Sequence, residues 1–301
     1  MIKNILIVGT GALATLFAAR LAAVGFNITM LGTWKKALEA QNQVGARVVE
    51  PDGTGIQYRV RATDDPFDCL DTDLAFILVK AWQTRRAAEQ LARCLPVNGV
   101  VVTLQNGLGN RQILAEYLGQ ERVVLGVTTS GATLLGPGLA RMGGDGLTSF
   151  ENTPRSAELC DVLSSAGMRV EIVRDANALI WGKLVISAAI NPLSALLKVP
   201  NGVLLERPSA RALMAELAVE TSAVASATGI HLPFSDPVLT AEAVARQTSS
   251  NYSSMFQDLK RGAKTEIDSI CGAIVRTGAE SGVSTPVNKT MWQLVSALHK
   301  R

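Results

Sequence analysis

Histidine is almost missing from this chain: His231 and His299 are the only two in 301 residues, which leaves little for a histidine-based metal site or a Ser-His-Asp triad. No metal is expected. The four cysteines, Cys69, Cys94, Cys160 and Cys271, show neither CxxC spacing nor a nearby histidine, so they read as reduced thiols of a cytoplasmic protein. Long basic runs are absent too. The net charge is +3 and the basic residues come in scattered pairs such as Lys35-Lys36, Arg85-Arg86 and Lys260-Arg261, which gives no nucleic-acid footprint. The stretch after Lys3 could pass for a secretory signal, but glycine and threonine interruptions and Arg20 argue against one, and it falls short of the about 20 unbroken apolar residues of a membrane span. No membrane association is expected. No internal repeat or low-complexity tract appears.

What the chain does contain is a strand, a glycine turn and a helix at its start. Ile5 to Val8 lead into Gly9-Thr10-Gly11-Ala12-Leu13-Ala14, and helical spacing then runs to Val24 before a second strand, Asn27 to Leu31. Gly9 suits a sharp turn, Gly11 carries no side chain to hold a pyrophosphate off the backbone, and Ala14 lets the helix lie close on the sheet. The first helical turn offers unpaired N–H groups to a phosphate. This context makes dinucleotide binding the reading of the stretch. An NAD site normally places an acid just after the second strand to accept from the ribose 2′-hydroxyl. Here Gly32-Thr33-Trp34-Lys35-Lys36 follows, with no acid before Glu39, so Thr33, Lys35 and Lys36 suit a 2′-phosphate, the plain alternative being lysines that open an exposed helix.

Further along, Val44 to Glu50 and Ile56 to Ala62 flank a turn and predict a β-hairpin. Leu74 to Val79 is an apolar run that ends at Lys80, and Gly99 to Leu104 repeats the arrangement, ending at Gln105-Asn106-Gly107. Both place polar groups at the carboxyl edge of a parallel sheet, where such folds bind ligands. A lysine leaving for solvent and an ordinary Asn-Gly turn are the plain alternatives. Arg122 to Val127 is a further strand, and the glycine-rich Gly131 to Gly146 region predicts short strands. Strand signals stop after Val173, and helices fill the rest. The domains are therefore placed at 1–174, Rossmann-type α/β, and 175–301, all-α.

In the second domain Lys183, Ser187 and Asn191 recur at i, i+4 and i+8 on an otherwise apolar helix, predicted to end near Asn191 because Pro192 follows. A desolvated lysine there has a lowered pKa and can supply a proton; one that snorkels past its apolar stem does not. Asn251 to Asp258 and Thr265-Glu266-Ile267-Asp268 add uncharged hydrogen-bonding groups and a carboxylate, which alone suggest a helix cap and a solvated face.

Taken in order, GTGALA from Gly9, VKAWQT from Val79, QNGLGN from Gln105, WGKLVISAAINPLSAL from Trp181, VPNG from Val199, NYSSMFQDL from Asn251 and TEID from Thr265 resemble the ketopantoate reductase family over nearly the whole chain. The resemblance implies a Rossmann-type domain, an all-helical domain of the 6-phosphogluconate dehydrogenase C-terminal type, and an active site in the cleft between them. It implies reduction of ketopantoate to (R)-pantoate with NADPH, on the route to pantothenate and coenzyme A. By position, Lys183 matches the catalytic lysine, and Lys80 and Asn106 match residues at the cofactor end of the site. Asn191, Asn201, Asn251 and Ser254 match substrate-holding residues, Glu266 a carboxylate beside cofactor and substrate, and Gly131 a backbone contact to the cofactor. A homodimer is admitted as an assembly. Two positions depart from the pattern: Ser187 replaces an asparagine on the lysine's face, and Gly32 replaces an arginine that would meet the 2′-phosphate. A relative acting on another branched or aromatic 2-oxo acid, a D-2-hydroxyacid dehydrogenase, and an NADPH-sensing protein without turnover are the alternatives.

Overall fold

Ile5 to Val8 are apolar on both faces, and such a strand belongs inside a sheet covered by helices on both sides. In the computed structural model, which describes residues 2–144 and 146–299, β1 (Asn4–Val8) pairs in parallel with β2 (Asn27–Leu31) and β6 (Leu74–Ile77). The eight-stranded sheet runs β12-β11-β8-β7-β6-β1-β2-β5, with β5 (Arg61–Thr63), β7 (Val100–Thr103), β8 (Val123–Thr128), β11 (Leu147–Glu151) and β12 (Arg169–Val173). The strands from β5 to β8 are parallel; β11 is antiparallel to β8. Alternation sends Ile5 and Ile7 to one core with Phe17, Phe76 and Phe150, and Leu6 and Val8 to another with Ile77, Leu91 and Val101. The covering helices are α1 (Ala12–Ala23), α2 (Lys35–Val44), α3 (Thr84–Cys94), α4 (Asn110–Leu118) and α5 (Ser156–Ser165).

The predicted hairpin is present as β3 (Ala46–Val49) against β4 (Gly55–Tyr58), with Val48 opposite Ile56. Its second arm is shorter than expected. After Tyr58 the chain leaves the hairpin, and Arg61–Thr63 joins the large sheet beside β2. The glycine-rich region forms β9 (Ala132–Gly136) and β10 (Leu139–Met142), and β10 pairs with β3 to complete a second, four-stranded sheet.

By contact the chain divides into Met1–Gln105 with Asn110–Ala176, and Asn106–Gly109 with Asn177–Arg301. The second unit holds most of α6 (Ala176–Leu197), then α7 (Val203–Glu206), α8 (Pro208–Ala227), α9 (Pro237–Gln247) and α10 (Ser254–Lys260). A π-turn at Asp268–Gly272, α11 (Ala273–Ser281) and α12 (Pro286–Ala297) follow. Pro208, Pro237 and Pro286 each open a helix, where the missing N–H costs nothing. At 22 residues and mean hydropathy 1.5, α6 has the length and composition of a membrane span, but 61% of that window is buried inside the protein. Its Leu184, Val185, Ala188 and Leu193 share one core with Met214, Leu217, Ile267 and Ile274.

Helix α6 corrects one expectation: it does not end near Asn191 but continues through Pro192 to Leu197. A proline inside a helix removes one backbone donor. Leu193 and Ala195, buried beyond it, favour continuation. The Asn191 carbonyl accepts from Ser194 Oγ at 3.2 Å and from Ser253 Oγ at 3.5 Å, so side chains satisfy part of the disturbed turn.

Candidate active site

In the first unit the carboxyl ends of β1, β2, β6, β7 and β8 open on one edge, and the strand order reverses at β1. That is where an open α/β sheet takes its ligand. Gly9 sits there at φ +131, where a Cβ would lie 3.0 Å from the Leu78 carbonyl oxygen, and its N–H donates to Leu31 O at 2.8 Å. Only glycine fits. Gly11 is different: a Cβ there would meet nothing within 4 Å, and no side chain caps α1. The first-turn N–H groups of Ala12 and Leu13 are thus left for an anion, while Ala14 is buried against the sheet. These features fit a dinucleotide pyrophosphate.

Thr10 is buried, and its methyl group fills the space beside Gly32: a Cβ at Gly32 would lie 2.6 Å from Thr10 Cγ2. An arginine at 32 therefore requires Thr10 to move, which accounts physically for that departure. Thr33 is exposed, and Lys35 and Lys36 open α2, exposed, with no acid in its first turn. Lys80 is half-buried just after β6 and precedes the short turn Ala81–Gln83. Gly131 is exposed past β8, its carbonyl taken by Gly143 N–H. Gln105, whose role the motif reading passed over, braces this edge by donating to Val79 O at 3.0 Å and Thr84 Oγ1 at 2.9 Å.

The second unit gathers the remaining candidates. Asn106–Gly109 packs with it, not with the strand that precedes it. Gly107 has φ +83, a Cβ there would overlap the Ser269 carbonyl, and Leu108 N–H donates to that same oxygen at 3.1 Å. Asn106 Nδ2 then donates to Glu266 Oε2 at 3.3 Å. Glu266 is buried at 6% exposure, on a turn whose carbonyl accepts from the Ser269 and Ile270 amides. Lys183 retains some accessible surface, yet desolvation lowers its ammonium pKa from 10.5 to about 8, and the Glu266 carboxylate opposes that fall. Lysine, carboxylate and amide form one polar group within an apolar bundle.

Ser187 and Asn191 lie one and two turns beyond Lys183 on the same face of α6, both half-buried. Asn201 forms a second group with Asn251: its N–H donates to Asn251 O at 2.9 Å and its Nδ2 to Thr248 Oγ1 at 2.9 Å. Its buried Oδ1 accepts from nothing among the described residues. Ser254 is exposed at the first position of α10, beside the buried Ser253 that caps the helix through Phe256 N–H. Ser253 also accepts from Ser194 Oγ at 2.7 Å, a buried bridge between α6 and the start of α10 that no motif flagged. Its one sequence sign was a serine two residues after Pro192. Among the described residues no group of three or more His, Cys, Asp or Glu could hold a metal.

Comparison with known proteins agrees over both units. The family described as Ketopantoate reductase PanE/ApbA matches residues 5–155, and its C-terminal counterpart matches residues 175–299. The 2-dehydropantoate 2-reductase of Halobacterium salinarum is 36% identical over 297 residues, 97% of each chain. That of Archaeoglobus fulgidus is 36% identical over 299 residues, 98% of this chain and 97% of its own. A PanE/ApbA family ketopantoate reductase from Ralstonia eutropha superposes with a TM-score of 0.92 at 31% identity, covering 99% of this chain and 98% of that one. A D-mandelate dehydrogenase solved with NADH and anilino(oxo)acetate also reaches 0.92, at 25% identity over 99% and 98% of the two chains. The strand-turn-helix edge, the helical unit bearing Lys183 and the matched length together establish that this chain belongs to the ketopantoate reductase family.

Proposed function

We propose that the protein is a cytoplasmic 2-dehydropantoate 2-reductase, reducing the C2 carbonyl of ketopantoate to (R)-pantoate with NADPH. The observation that carries the proposal is Lys183, desolvated on α6 to a pKa of about 8 beside Glu266, in a chain matched end to end by 2-dehydropantoate 2-reductases. NADPH, when bound, supplies the hydride. The N-terminus of α1 and Gly11 would hold its pyrophosphate, and Lys80, Asn106 and the Gly131 backbone are the further cofactor-binding groups this reading assigns. Thr33, Lys35 and Lys36 would meet its 2′-phosphate. Two cations in the first turn of α2 oppose the helix dipole, by about 0.3–1 kcal/mol each, a cost that a phosphate held there would offset.

The rest is done by side chains of the helical unit. Lys183 Nζ donates a hydrogen bond to the substrate carbonyl oxygen and gives up its proton as that oxygen gains charge, and the low pKa makes this transfer easy near neutral pH. Glu266 keeps the ammonium charged until then and is itself held by Asn106. Asn191, Asn201, Asn251 and Ser254 supply uncharged donors and acceptors for the carboxylate and hydroxyl, with Asn201 Oδ1 buried and open as an acceptor.

A second reading, a dehydrogenase of a bulkier 2-oxo acid, is favoured by the short Ser187 and by the likeness to a D-mandelate dehydrogenase. Steady-state kinetics with a panel of 2-oxo acids, each with NADPH and NADH, decides between them. The highest kcat/KM for ketopantoate with NADPH is expected. A higher value for an aromatic or larger branched 2-oxo acid overturns the proposal in favour of the second reading, and no turnover with any of them overturns both.

A further inference from the structure

The turn that carries Glu266 is tied to the far end of the chain. Thr265 N–H donates to His299 Nε2 at 3.1 Å, and Thr265 Oγ1 lies 3.0 Å from the same nitrogen. A ring nitrogen that accepts from a backbone amide carries no proton, so the neutral imidazole with its hydrogen on Nδ1 is the form that fits. Thr265 is 1% exposed, its hydroxyl accepts from Ile267 N–H at 3.4 Å, and the next residue is Glu266. His299 thus grips the turn one residue from the carboxylate that faces Lys183.

The imidazole is half-buried and borders a cavity of about 550 Å³ lined by Lys264, Asp268, Trp292 and Ser296 among others, so a proton reaches it without unfolding. Protonation at Nε2 would set an N–H against the Thr265 N–H, leaving a buried amide facing a donor. Among the described residues the charges that act on the ring are Lys264, which opposes a further positive charge, and Asp258 of α10, which favours it. Asp258 is committed to Arg261 at 2.7 Å, and Asp268, across the cavity, to Arg276 at 3.2 Å. Burial is the larger influence and lowers the imidazole pKa below 6.5. With the folded value below the unfolded one, the neutral-His299 contact is fully present above about pH 6.5 and is lost as the pH falls through the folded value.

We propose that His299 is a positioning residue: its neutral imidazole fixes the Thr265–Glu266 turn opposite Lys183, and its protonation loosens that turn and weakens turnover in mildly acidic solution. The effect on turnover rests on the role given to Glu266 above, whereas the grip on the turn does not. The test compares the full-length protein with His299→Gln, whose amide oxygen accepts at any pH, and His299→Phe, which fills the space without accepting. Amide hydrogen exchange of the 264–269 segment, normalised for intrinsic rates, is followed from about pH 8 to about pH 5.5, together with kcat and KM on whichever 2-oxo acid the panel selects. The unmodified protein is expected to lose protection and kcat as the pH falls. His299→Gln is expected to keep both, with kcat near the original at about pH 8. His299→Phe is expected to lose protection at every pH and about three- to tenfold in kcat, the weight of one buried hydrogen bond. The same acid-side loss in His299→Gln as in the unmodified protein, or full protection in His299→Phe, overturns the proposal. The exchange data decide it even if no 2-oxo acid is turned over.

Discussion

An alkaline limit on turnover is the sharpest consequence of the lysine's surroundings. With a pKa lowered from 10.5 to about 8, Lys183 is about nine-tenths protonated at pH 7, half at pH 8 and about one-tenth at pH 9. A reductase that takes its proton from this ammonium should therefore lose kcat/KM about tenfold per pH unit above about pH 8, where an ordinary lysine would hold the rate flat to about pH 10. Because Glu266 supports the charged form, Glu266→Gln should move the inflection to lower pH. Lys183→Ala should cost about two to four orders of magnitude in kcat, the usual weight of general acid catalysis, and still bind the cofactor. The same shift disfavours the charged lysine in the folded state by about 3 kcal/mol at neutral pH, at about 1.4 kcal/mol per tenfold. Lys183→Met should then raise the melting temperature at pH 7, with the gain shrinking as pH rises from about 8 toward 10.5, since the folded protein sheds this proton first. The assay is initial-rate NADPH oxidation from pH 6 to pH 10, with thermal melts of the variants across the same range. A rate flat to pH 10 in the unmodified enzyme, or turnover in Lys183→Ala near the original, refutes the assignment of Lys183 as proton donor.

Charge reversal at Lys35 and Lys36 should weaken NADPH binding by about ten- to a hundredfold, as expected for lost charge-assisted bonds, while NADH changes little; equal loss for both cofactors, by fluorescence titration, would mark these lysines as ordinary surface. Ser187→Asn should raise kcat/KM for ketopantoate by about two- to twelvefold, the net value of one hydrogen bond, and penalise larger 2-oxo acids. A drop for ketopantoate in that variant, with a bulkier acid preferred by the original protein, would transfer the site to the second reading.

Much of the fold was legible because it rests on local patterns. The apolar runs at β1, β6 and β7, the glycine turn at Gly9 to Gly11 and the change to helical spacing after Val173 each follow from residues close in sequence, and each has its element in the structure. The Asn-Gly turn after Gln105 and the polar face of α6 were visible for the same reason. Other features were not local. Pro192 reads as a helix end by its own chemistry, yet burial of Leu193 and Ala195 and the hydroxyls of Ser194 and Ser253 carry the helix past it. The hairpin arm after Tyr58 changes sheets because β2 offers an unpaired edge some thirty residues upstream, a fact no window of sequence contains. Most of all, residue patterns named Asn106, Lys183 and Glu266 only as separate polar residues, and the family resemblance assigned them to one site without giving their contacts. Tertiary structure put the Asn106 amide on the Glu266 carboxylate, brought that carboxylate's charge to bear on Lys183, and tied its turn to His299. A carboxylate 83 residues further along the chain acts on the lysine's pKa, and desolvation, the larger cause, is a property of the packed bundle, which exists only once the chain has folded.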